Sequence, residues 1–284
     1  MNSFVKDFVR EKICFYAPIL GIKNFTDLIK LGGEYGVHGI EFLNYGEMAT
    51  PDLAAARELK KLAKERDLAF PCFSVGIDLV GEHRAENIVK LKKYADICAD
   101  LEIPYLHHTV AGRFAGGYKP GEIEQYFAEG VEATCEIAEY ANKLGVKTLL
   151  EDQGFVVNGV EGYGKFRAAA NNCFDTLVDT GNIYFADETA GAFAEAFAFC
   201  TRHTHVKDYY ITKEEPVGVR SYLSKDGNYI SCAVANDGDV DYDRVKAALK
   251  KAGYNGLYSI EYTLDKKEDL DRTLEYLAAE FGDM

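Results

Sequence analysis

Residues 142–152 read NKLGVKTLLED: a helix tail, a glycine, a short apolar run and two acids. The glycine suits a helix C-terminus, where the chain turns through a left-handed conformation that a Cβ disfavours. The apolar run is brief and uninterrupted, as in a strand buried on both faces. The same order returns in EYGVHGIEF (34–42) and KKAGYNGLYSIEY (250–262), where Gly36 and Gly253 precede runs that reach Glu41 and Glu261. Helix, glycine, buried strand and terminal carboxylate, used repeatedly, describe a parallel sheet laid down through crossover helices.

Working outward, eight such strands are expected: 13–17, 39–43, 68–75, 105–110, 147–152, 175–179, 202–208 and 257–262. Helical stripes lie between them. Ile123, Phe127, Val131, Thr134, Ala138 and Ala141 form one; Leu270, Leu274, Leu277 and Phe281 form another. Thr50 followed by Pro51 reads as an N-cap with proline at the first helical position. No proline-, serine- or glycine-rich linker divides the chain, so residues 1–284 are expected to form one domain. An open dinucleotide-binding sheet would carry G-x-G-x-x-G after its first strand, and YAPILGIKNF (16–25) has none. Eight units in 284 residues instead predict an α/β fold of the (β/α)8 TIM-barrel type.

Composition narrows the partners. The formal net charge is −14 and no basic run exceeds a few residues, which disfavours nucleic acid and anionic membrane. No stretch is long and apolar enough for a transmembrane helix, and the charged start MNSFVKDFVREK lacks a signal-peptide block. Seven scattered cysteines without a C-x-x-C pair read as reduced thiols, and a cytoplasmic location is expected.

A barrel places its chemistry at the C-terminal ends of its strands. Strands five to eight end with Glu151 and Asp152, Asp179, His205 and Asp208, and Glu261. Singly, each is more often a solvated charge or a turn former. Together, Glu151, Asp179, His205 and Glu261 offer three carboxylates and an imidazole, a donor set suited to Mn²⁺, Mg²⁺, Zn²⁺ or Co²⁺. His203 shares a face with His205 one layer deeper and reads as a packed neighbour.

These four residues, with VDTGN (178–182), HVKDY (205–209) and NDGDVDY…AALKKAGYNGLYSIEY (236–262), resemble the xylose isomerase-like (AP endonuclease family 2) superfamily of sugar isomerases, epimerases and related lyases. The resemblance runs from about Ile13 to Phe281. It implies one divalent ion, commonly Mn²⁺, on the four residues, with Glu151 and Glu261 exchanging protons with a substrate carbon. By the same resemblance His108 contacts sugar hydroxyls. Glu41 at the end of strand two, Asn182, and Asp208 behind the metal histidine are further candidates for substrate binding. The stretch 218–239 reads as a hairpin over the pocket, with Arg220 its substrate-facing cation.

Two departures matter. Asn182 stands where ketose 3-epimerases of the family carry a histidine, and EDQGFVVNG (151–159) lacks their second glutamate. Nuclease members use three metals and more histidines, including an Asp-x-His that does not follow His205 here. The expected function is therefore a metal-dependent isomerase or epimerase acting on a free ketose or polyol ketone. The alternatives are a lyase of the same superfamily (an inosose-type dehydratase or a C-glycoside-cleaving subunit), an endonuclease-type phosphodiesterase and a non-catalytic sugar-binding subunit. Relatives often form homo-oligomers.

Overall fold

The computed structural model of the chain describes residues 1–16, 18–112, 121–261 and 265–284, apart from the side chain of Phe155. Eight parallel strands close into a barrel: β1 (Ile13–Tyr16), β2 (Gly39–Leu43), β3 (Cys72–Val75), β4 (Tyr105–His108), β5 (Lys147–Leu150), β6 (Asp175–Asp179), β7 (Thr201–Val206) and, last around the ring, β11 (Tyr258–Ile260). Each expected strand is present, usually shortened. Ala17 and Tyr262, the ends expected for the first and last strands, lie outside the described residues.

The chain opens with helix α1 (Ser3–Lys12), and helices α2 (Phe25–Tyr35), α3 (Leu53–Lys64), α4 (Arg84–Asp100), α5 (Glu122–Lys143), α6 (Gly154–Val157), α7 (Val160–Ala169), α8 (Ala190–Phe197), α9 (Tyr242–Lys251) and α10 (Lys267–Phe281) fill the connections and the C-terminus. Gly36 ends α2 at φ 65°, Gly145 follows α5 at φ 79°, and Gly253 follows α9 at φ 69°, as the repeated glycine predicts. The α10 stripe is buried throughout. On α5 the inner face is Gly130, Ala133, Thr134, Ile137, Ala138 and Ala141, while Ile123 is exposed. The α3 cap is Asp52, whose carboxylate accepts from Ala54 N and Ala55 N. It displaces Thr50 because its side chain reaches two amides at once.

The expected seventh strand, 202–208, is two strands. β7 stops at Val206, and Asp208 begins β8 (Asp208–Thr212), which leaves the barrel. β8 joins a separate antiparallel sheet with β9 (Ser221–Leu223) and β10 (Tyr229–Ala233), in the order β8-β10-β9. The β9–β10 pair is the expected hairpin. Among the described residues no helix is long and apolar enough to cross a membrane.

Most of the apolar core lies between the strands and the helices. Inside the barrel the side chains form layers, as TIM barrels require. The lowest is apolar: Cys72, Leu149 and Leu177, with Tyr105 packed against them. Above it come Glu41, Ser74, His107, His203 and Ser259, all buried and polar. Tyr16, Glu151, Asp179, His205 and Glu261 complete the C-terminal end.

Candidate metal centre

The register of the strands brings the upper layer together. Asp179 pairs with His205 across β6 and β7, and His205 pairs with Ser259 across β7 and β11. Glu151 and Glu261 stand one residue beyond the ends of β5 and β11. One ligand atom from each of Glu151, Asp179, His205 and Glu261 lies within 4.8 Å of all the others. His205 Nδ1 is 2.6 Å from Glu261 Oε2, 3.3 Å from Glu151 Oε2 and 3.8 Å from Asp179 Oδ2. These four atoms are buried; Asp179 Oδ2 and Glu261 Oε2 are ion-paired with Lys207 Nζ, and Glu151 Oε2 has no hydrogen-bond partner among the described residues. Three buried carboxylates converging on one imidazole nitrogen carry more negative charge than the single Lys207 ammonium offsets, and such a cluster suits a further cation.

Asp179 and His205 are aimed by their other atoms. Asp179 Oδ1 accepts from Gly181 N at 2.7 Å and Asn182 N at 2.8 Å, leaving Oδ2 to face the cluster. The residue thus shapes its turn with one oxygen and serves the site with the other. His205 Nε2 donates to Glu41 Oε1 at 2.8 Å. In the neutral ring with its proton on Nε2, the Nδ1 lone pair is available for a metal, so an ion would take the place of a proton there.

The charges respond to this crowding. Burial, with Glu261 and Glu151 adding to it, raises Asp179 to about 7 despite relief from Lys207. Burial would raise Glu261 too, but Lys207 and His205 hold it at about 2. For His205, burial opposes the charge, yet Glu41 and Glu261 keep the ring's pKa well above its ordinary value. Asp152 is fully buried with neither oxygen hydrogen-bonded among the described residues; burial, then Asp179 and Glu151, push its carboxyl well up.

Glu41 does not reach the mouth. It sits beneath His205 with its carboxylate saturated: Ser74 Oγ and His205 Nε2 donate to Oε1, and Ser259 Oγ and His203 Nε2 donate to Oε2. Its carboxylate is thus spent on holding His205 and His203 in place. His203 is the packed neighbour expected of it, 2.7 Å from Glu41.

The strand-four histidine is His107 rather than His108. On β4 the inward residues are Tyr105 and His107, because alternate side chains of a strand face opposite ways, so His108 points away from the site. His107 Nδ1 lies 2.7 Å from Ser74 Oγ, whose proton goes to Glu41, so Nδ1 donates and Nε2 is left as an acceptor. Nε2 lies 3.6 Å from Glu151 Oε1 with no hydrogen-bond partner among the described residues.

His108 faces the helices. Its Nδ1 donates to Thr109 O at 3.0 Å, its Nε2 has no partner among the described residues, and burial lowers its pKa from 6.5 to about 4. The folded chain therefore refuses a proton that the unfolded chain accepts below pH 6.5. Stability should be full above that pH and fall toward pH 4 by up to about 3 kcal/mol from this residue. Melting curves of a His108→Leu protein should show a shallower loss between pH 6.5 and 4 than the native chain. Equal slopes would refute it.

The remaining expected substrate contacts divide. Asp208 is buried and accepts from Tyr209 N, Asn236 N, Gly238 N and Val240 N, which ties down the loop after β10. That loop takes every lone pair Asp208 could offer a substrate. Arg220 is exposed, its guanidinium 5.0 Å from the Tyr222 ring centre. Asn182 does lie at the cluster, where its Oδ1 accepts from Lys207 Nζ at 3.2 Å. Sequence reading gave no role to Tyr16, whose ring centre is 5.1 Å from that of His205, or to His107.

The family model for the xylose isomerase-like TIM barrel matches residues 29–280. The chain belongs to that family. Among solved structures, a xylose isomerase-like TIM barrel protein from Mycobacterium smegmatis in complex with magnesium is 14% identical, with TM-score 0.76, covering 100% of this chain and 99% of that one. D-psicose 3-epimerase in the presence of D-fructose is 17% identical, with TM-score 0.71 and coverage of 95% and 99%. The probable 3-DHS dehydratase of petrobactin synthesis from Bacillus anthracis is 15% identical, with TM-score 0.69 and coverage of 94% and 98%. None of the curated protein sequences matches the chain. At these identities the likeness to xylose isomerase-like structures is one of fold, and the site must speak for itself.

Proposed function

We propose that the chain is a divalent-metal-dependent isomerase or epimerase of a ketose or related polyhydroxy carbonyl compound, with Glu151, Asp179, His205 and Glu261 as the ligands. The observation that carries this reading is the convergence of four buried donor atoms, three carboxylate oxygens and an imidazole nitrogen, at the open end of the barrel. A three-carboxylate, one-imidazole set fits Mn²⁺, the ion implied by the resemblance, and also Mg²⁺, Co²⁺ or Zn²⁺. Such an ion would supply Lewis acidity to adjacent carbonyl and hydroxyl oxygens.

The chain's own groups do the rest. Glu151 and Glu261 each offer a second oxygen for proton transfer, so one removes the proton from the carbon beside the carbonyl and the other returns it. His107 Nε2, a bare acceptor next to Glu151, receives a substrate hydroxyl. Tyr16 walls the site over His205. All seven cysteines are free, which fits a reducing compartment such as the cytoplasm.

The test is incubation with a panel of ketoses and inososes in heavy water. Deuterium at the carbon beside the carbonyl together with an isomer is the expected result. Loss of water would make the chain a lyase, which shares the first proton removal, and no exchange with any substrate would leave a binding protein.

A further inference from the structure

We infer that Lys207 competes with the metal ion for its own ligands and so sets how tightly the ion is held. The inference rests on the metal reading above but concerns a residue outside the ligand set.

The ammonium is placed with care. Lys207 follows the last residue of β7, at the point where the chain leaves the barrel. Its N–H donates to Thr180 Oγ1 at 2.9 Å, and its carbonyl accepts from Thr180 Oγ1 at 2.7 Å and Tyr242 OH at 3.0 Å. The stem runs over Gly181, where an added Cβ would come within 2.5 Å of Lys207 Cγ and 2.4 Å of Tyr209 Cε2. Glycine at 181 is thus what lets the stem pass. The result is a buried Nζ 2.8 Å from Asp179 Oδ2, 3.1 Å from Glu261 Oε2 and 3.2 Å from Asn182 Oδ1.

Asp179 Oδ2 and Glu261 Oε2 are two of the four atoms that converge for a metal. A cation bound to them would stand a few ångströms from a second, fixed cation. Two consequences follow from Coulomb's law in a site shielded from water. The ammonium repels the ion and draws on the same carboxylate charge, so it weakens metal binding. It also reduces the charge of the three ligand carboxylates to a net of two, the charge a divalent ion neutralises.

The test measures Mn²⁺ affinity by calorimetry on the full chain freed of metal with a chelator. Lys207→Met removes the charge at similar length, and Lys207→Gln keeps a donor for Asp179 should the bare carboxylates prevent Met from folding. Both should bind Mn²⁺ about tenfold more tightly or better, while Lys207→Arg stays near the native affinity. A residue that merely braced the site would, on removal, weaken binding. Equal or weaker binding by the folded Met and Gln proteins, against stoichiometric binding by the native chain, overturns the role of Lys207 alone. Absence of binding by the native chain overturns the metal reading with it.

Discussion

Glu261→Gln is expected to fold and melt like the native chain yet lose deuterium exchange at the substrate carbon by about 10²–10⁴-fold, the usual contribution of a general acid–base group. The amide is nearly isosteric and keeps an oxygen that can touch a cation, so packing around β11 should not change. It has no lone pair basic enough to take a proton from carbon. Glu151→Gln should fall by a similar factor if each glutamate serves one face of the substrate, as an epimerase requires. Loss in only one of the two would favour a single-base isomerase or a lyase. Exchange followed by NMR, with melting curves on the same samples, decides among these. Native exchange in folded Glu261→Gln would end the mechanism.

The second large effect is expected at a residue that touches no substrate. Glu41 accepts from Ser74, Ser259, His203 and His205, and an amide at that position can accept at only one of its two ends. Glu41→Gln therefore sets an N–H against at least one of these donors in a buried site. Breaking such a charged network costs about 3–5 kcal/mol. It also frees the His205 proton to move from Nε2 to Nδ1, which hides the lone pair a metal needs. Disturbing a carboxylate behind a metal histidine lowers metal affinity by about 10–100-fold. A lower melting temperature and weaker Mn²⁺ binding should appear together. If neither changes, Glu41 does not hold His205 as its geometry indicates.

What the sequence disclosed follows from the range of each signal. Buried parallel strands leave short apolar runs, and helices leave caps and stripes, so all eight barrel strands could be read locally. The cluster of Glu151, Asp179, His205 and Glu261 could be read because a barrel collects the ends of its strands. His107 and His108 differ only by the phase of a four-residue strand, and that phase is set by cross-strand contacts such as Ser74, distant in sequence. Glu41 is the same kind of case: its four partners come from β3, β7 and β11, and nothing near residue 41 indicates them. Lys207 and Asp208 looked like the tail of a strand until the chain turned between them. One then serves the metal ligands and the other a loop, a division made by the exit of β8 from the barrel.

The layered interior has a consequence for anyone who wishes to engineer this chain. Only a thin apolar floor of Cys72, Leu149 and Leu177 lies inside the strands, while Glu41, Ser74, His107, His203 and Ser259 occupy volume that aliphatic side chains could fill. Replacing a buried polar network by well-packed apolar groups is often neutral or stabilising. The middle of the barrel is therefore where the protein has exchanged robustness for reactivity. Efforts toward heat resistance belong in the outer shell, on α1 to α10, because gains sought within the strands would dismantle the support of His205.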